Sequence, residues 1–115
     1  MAIAVNSTKE ALATAYTVQG AYISLHTGDP GSTGASEATG GSPAYARKAT
    51  AWTGGGVDGI ATGSQVTIDV GAGTYSWAGI WTAATGGTFV DKVAITATTL
   101  GAQGQILVTP TITIT

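Results

Sequence analysis

A change of period at Gly20 constrains this chain more than any other feature of its sequence. Beyond it, apolar side chains alternate with small or hydroxylated ones in short runs, the two-residue period of a strand with one buried face. Ile23 and Leu25 share a face within residues 21–27, and Val66, Ile68 and Val70 oppose Thr67 and Asp69 within 65–70. The longest alternation is the tail, where Ile106, Val108, Ile112 and Ile114 oppose Thr109, Thr111, Thr113 and Thr115. Pro110 falls on the apolar register and has no N–H to give, so the strand is expected to be an edge or bulged there. Residues 45–53 read as a further strand, closed by Gly54-Gly55-Gly56. Residues 74–82 set Tyr75, Trp77, Gly79 and Trp81 against Ser76, Ala78 and Ile80. Ala84-Thr85-Gly86-Gly87 then reads as a hairpin turn into a strand over 88–95. Seven to eight short strands with turn signals between them predict a mainly β fold, an antiparallel β-sandwich forming a single domain over 1–115.

One short helix is expected before Gly20. Ser7 and Glu10 have the spacing of a capping box, and Leu12, Ala15 and Tyr16 would form the face that packs on a sheet. Residues 1–20 are thus an N-terminal arm and a short helix, and two turns of helix would need tertiary support. Residues 28–43, with Asp29-Pro30-Gly31 and Gly40-Gly41, read as a long loop. Roughly fifteen irregular residues in so small a domain point to a binding or interdomain role.

Composition narrows the function classes. Apolar residues make up 43% of the chain and charged residues 9%, against about 25% charged in ordinary globular proteins. A free monomer usually covers itself with charge, so this chain is expected to hide surface against neighbours. Four scattered cations, Lys9, Arg47, Lys48 and Lys92, cannot neutralise a run of phosphates or dock on anionic lipid, so neither nucleic acid nor membrane is an expected partner. The chain has no cysteine, which removes disulfides and thiol chemistry from consideration. Residues 1–6 lack the basic and apolar regions of a signal peptide, so synthesis in a host cytoplasm is expected.

Few residues suggest chemistry. His26 is the sole histidine, and it could act only with Ser24 and Asp29 nearby. Two residues apart on a strand is an awkward placement for proton transfer, and Asp29-Pro30-Gly31 is ordinary turn chemistry. The acids Glu10, Asp29, Glu37, Asp58, Asp69 and Asp91 are dispersed, and Asp58 lacks the spaced oxygen donors of a calcium loop. The glycine runs have no following lysine and helix to make a phosphate loop. The expectation is a non-enzyme with no cofactor and no metal. The aromatic stripe of Tyr75, Trp77 and Trp81 reads first as a core face, and second as a partner or carbohydrate platform with Trp52.

The strings Ile23-Ser24-Leu25-His26-Thr27-Gly28-Asp29-Pro30-Gly31, Tyr45-Ala46-Arg47-Lys48 and Trp77-Ala78-Gly79-Ile80-Trp81-Thr82-Ala83-Ala84-Thr85-Gly86-Gly87-Thr88-Phe89 resemble small virion proteins of tailed phages of actinobacteria and their relatives. Members are labelled tail-fibre, minor tail or head-decoration proteins, and the resemblance brings no catalytic residues. It implies a virion structural role, with capsid decoration ranked first and a tail-associated or tail-fibre module, possibly glycan-binding, as the alternative. The partners expected are a major capsid protein and copies of the chain itself, in a homo-oligomer. The contacts expected to serve them are Met1, Ile3 and Val5 in the arm, Asp29 and Pro30 in the loop, and Trp52. The apolar arm would add a strand to a neighbour's sheet.

Overall fold

A computed structural model describes residues 2–54 and 56–115. Among the described residues, helix α1 (Asn6–Gln19) is followed by nine strands: β1 (Tyr22–His26), β2 (Lys48–Ala49), β3 (Trp52–Gly54), β4 (Ile60–Gly63), β5 (Val66–Val70), β6 (Gly73–Trp81), β7 (Phe89–Leu100), β8 (Gly104–Val108) and β9 (Thr111–Thr113). They form a four-stranded sheet β2-β1-β6-β7, a three-stranded sheet β3-β4-β9 and a pair β5-β8, with every pairing antiparallel. The architecture is mainly β and sandwich-like, as the period-two runs predict.

The core lies between the long sheet and the β5-β8 pair. Ile23, Leu25 and Ala78 from one side meet Val66, Ile68, Val70 and Ile106 from the other, with Tyr75 and Ala38 among them. Each of the Ile, Leu and Val side chains removed from water contributes about 1.5–3 kcal/mol of transfer free energy. Pro110 does what its missing N–H requires: the tail breaks between β8 and β9, which pair with different partners, β5 and β4.

Several expectations are corrected. Residues 45–53 are not one strand but β2 and β3, which join different sheets. Four-residue β4, with only Ala61 and Gly63 facing inward, carries too few apolar side chains to signal a strand. Strand β7 runs to Leu100, past the expected end at Ile95. The aromatic stripe does not share one face. Register shifts between Tyr75 and Trp77 and between Ile80 and Trp81 interrupt the β6–β7 ladder, and Tyr75 joins the core while Trp81 packs against Arg47 and Phe89.

The helix is longer than two turns, at 14 residues, and has no capping box. Val5 holds the cap position, and its carbonyl accepts from the N–H groups of Thr8 and Lys9. Glu10, free of Ser7, accepts instead from the Gly59 N–H. The packed face is centred on Ala13, which is fully buried, whereas Leu12 is 43% exposed and Ala15 is exposed. A small residue lets the helix lie close on β4, and polar ties from Glu10 and Tyr16 secure its two ends.

Candidate functional site

Strand β1 is buried on both faces. One face is the core; the other carries Ser24 and His26 beneath the 28–43 loop. That loop does not stand away from the domain. Pro30, Gly34 and Ala38 are buried, and residues 36–38 take the edge of β1 that β2 leaves free. The Thr27 N–H donates to the Ser36 carbonyl, the Ala38 N–H donates to the Leu25 carbonyl, and His26 bridges Glu37. Gly34, at φ 81°, lies flat on Trp81, where an added Cβ would overlap the indole ring.

Under the loop the polar groups form one connected network. His26 Nδ1 lies 2.8 Å from the Ala35 carbonyl, which can only accept, so Nδ1 carries the proton. His26 Nε2 must then accept, and Ser24 Oγ donates to it over 2.7 Å. Ser24 Oγ in turn accepts from Trp81 Nε1 at 3.0 Å. Phe89 sets its edge against both rings. Gly79 is required at this crossing, because a Cβ there would lie 2.7 Å from both the Phe89 ring and Ser24 Oγ.

Arg47 closes the network from outside. Its guanidinium sits 3.5 Å from the Trp81 ring centroid. It grips both Glu37 carboxylate oxygens, each at 2.8 Å, and donates to the Ala83 and Gly86 carbonyls of the β6–β7 turn. Tyr45 donates to Glu37 and accepts from the Leu25 N–H. Burial alone would raise the Glu37 carboxyl, but hydrogen bonds from Arg47 and Tyr45 and the Arg47 charge bring it below its usual range. Burial lowers His26 despite its bond to Ala35 and the Glu37 charge, and keeps the ring neutral at pH 7. Tyr45 is pushed up, first by burial and then by Glu37.

Ser24 and His26 are thus brought together, but each has 0% of its surface exposed. Asp29 is elsewhere: exposed, paired with Lys92 at 2.6 Å and accepting from the Gly31 N–H. Its carboxyl is lowered, chiefly by the Lys92 hydrogen bond. Neither Ser24 Oγ nor the His26 ring is open to solvent, and their bonds tie the loop to the sheet. Arg47, Glu37 and Tyr45 are the residues that sequence reasoning passed over. The usable signal was scarcity: with only four cations in the chain, an Arg ten residues after a Glu in an apolar setting implies a pair.

A second feature is an open apolar groove of about 620 Å³ along the inner side of β7, lined by Ile80, Val93, Ile95, Pro110, Ile112 and Trp52 among others. It is the part of the sandwich that the second layer leaves uncovered, and Val93 is 59% exposed within it. At one end Tyr16 donates to Asp91 at 2.6 Å; burial and then Asp91 raise the phenol.

The expected contact residues scatter around these two features. Trp52 lines the groove with its Nε1 donating to the Gly20 carbonyl. Ile3 is half-buried and Val5 is 58% exposed. Pro30 is buried within the loop and presents no surface to a partner. Met1 lies outside the described residues. Trp77 is half-buried with Lys92 over its ring, and Trp81 is buried, so the three indoles form no common platform.

The model of one protein family, described as Podophage GP4 fiber I protein gp80, matches residues 6–115. Searches of curated proteins and of solved structures gave no match. The matched span holds the helix, all nine strands and the clamped loop, and the chain belongs to the phage virion fibre family described by podophage GP4 fiber I protein gp80.

Proposed function

We propose that the chain is a structural module of a phage tail fibre, working through contacts with copies of itself and with neighbouring virion proteins, and without catalysis. The observation that carries this reading is the fibre-family match across residues 6–115. It reverses the order expected from sequence, in which capsid decoration came first, and it favours the tail alternative. The absence of chemistry is supported by the full enclosure of Ser24 and His26. Self-association is supported by the groove beside β7, whose outer edge is the end of its sheet. A strand edge bordered by exposed apolar side chains is a ready surface for another chain. Removal of the coding sequence from the phage tests the reading. DNA-filled particles that lack a fibre and adsorb poorly are the expected result. Heads that burst or fail to assemble, with fibres intact, would overturn it.

A further inference from the structure

We propose that the Trp81–Ser24–His26–Ala35 relay is an acid-sensitive latch: protonation of His26 releases the 28–43 loop from the sheet while the rest of the domain stays folded. This regulation is independent of where in the virion the chain sits.

The inference rests on how completely the proton positions are determined. Ala35 supplies an acceptor, so His26 Nδ1 must donate. Trp81 supplies a donor, so Ser24 Oγ must accept on that side. The Ser24 hydroxyl hydrogen is left with His26 Nε2 as its partner. A proton added to Nε2 faces Ser24 Oγ with a second donor. The oxygen can accept both, but the Ser24 hydroxyl hydrogen then has no acceptor in this network, inside a site with no exposed surface at Ser24 or His26. Opening the loop removes the conflict by admitting water.

Every element around the ring bears on the charge it would carry. The loop contributes Glu37 and, further out, Asp29; the segment before β2 contributes Tyr45 and Arg47; β7 contributes Phe89 and Lys92. Glu37 would favour an imidazolium, but both of its oxygens are already held by Arg47 and one also by Tyr45. The Arg47 guanidinium opposes a second cation. The loop also holds Ser36 at φ 60°, a conformation unfavourable for a residue with a side chain, which release would relax. Two backbone bonds tie the loop directly to β1: Thr27 N–H to Ser36 and Ala38 N–H to Leu25. They are the reporters of opening.

The sign follows from linkage. The ring in the closed state binds its proton less readily than a free histidine, so the open state is favoured as pH falls below about 6.5. One proton couples to opening, so the opening constant rises by about tenfold per pH unit below 6.5, until the closed-state ring itself titrates.

The test is amide hydrogen exchange by NMR on the full chain from pH 7.5 to 4.5, expressed as protection factors, with the imidazole ¹⁵N shifts followed alongside. Thr27 and Ala38 are expected to lose protection in acid with that slope, while Ile68 and Ile106 keep theirs. At pH 7.5 the shifts should report a neutral ring protonated on Nδ1. Flat protection at Thr27 and Ala38, or loss shared equally by Ile68, would overturn the latch. His26→Gln should abolish the pH dependence, and an acid response surviving in that variant would assign the opening to Glu37 instead and overturn the proposal. Should that variant not fold, Ser24→Ala serves: it removes the bond that favours the neutral closed ring, so protection at Thr27 and Ala38 should be lower at pH 7.5 and its loss in acid should level off at a higher pH. A level-off at the same pH as in the parent chain also overturns the proposal.

Discussion

Arg47 is the residue at which three parts of the molecule meet: Glu37 of the loop, Trp81 of β6, and the Ala83 and Gly86 carbonyls of the hairpin turn. Its planar fork satisfies two carboxylate oxygens and two carbonyls at once, which a lysine ammonium cannot do. Arg47→Met should therefore destabilise the fold by about 3 kcal/mol, because it strands a largely buried Glu37; chemical denaturation measures it. Arg47→Lys should recover less than half of that. Glu37 adds its own pH dependence. Its folded pKa is lowered, so its contribution is fully present above the usual carboxylate range near 4.5 and is lost as pH falls through the folded value. A stability profile should therefore decline further below pH 4.5, and Glu37→Gln should flatten that second decline. These residues were legible only in part. The motif strings containing His26, Arg47 and Trp81 were visible, but the reason for their coexistence is a convergence of residues 21 to 55 positions apart, which no local pattern displays.

At the scale of elements, period two was a good guide and period 3.6 a poor one. Strand faces follow from alternation when the core is sheet on sheet, and Ile23, Leu25, Val66, Ile68 and Val70 lie where the alternation puts them. The helix was oriented by the face of Leu12, Ala15 and Tyr16, of which only Tyr16 is half-buried, because the helix docks through a small residue. Ala13 is buried, while Leu12 is 43% and Val18 81% exposed. Two substitutions separate the readings. Ala13→Leu should destabilise by about 2 kcal/mol through overpacking. Leu12→Ala should change stability by no more than about 0.5 kcal/mol, as at other exposed positions. The same denaturation series measures both, and the opposite ranking would restore the Leu12 face. Bulges were invisible for a related reason. They appear as irregularities in pairing between β6 and β7, and pairing is not written in either strand alone.

At the scale of the molecule, the shortage of charge acquires a location. The groove beside β7 and the exposed side of α1 are apolar or hydroxylated surfaces on a domain 46 Å long and about half as wide. The groove is the surface expected to meet another copy. Val93→Lys, at a position 59% exposed, should leave the monomer's stability within about 0.5 kcal/mol and weaken self-association by tenfold or more. Sedimentation velocity across a concentration series measures this, and unchanged association would move the interface elsewhere. The virion class was legible from motif strings spread along most of the chain. The place within the virion was not, because a small, sparsely charged β-rich chain suits a capsid joint and a fibre equally well on composition alone. High-resolution imaging of intact virions tests the central claim most directly. The account predicts density of this domain repeated within a tail fibre; regular density over the capsid joints, with none in the fibres, would contradict it.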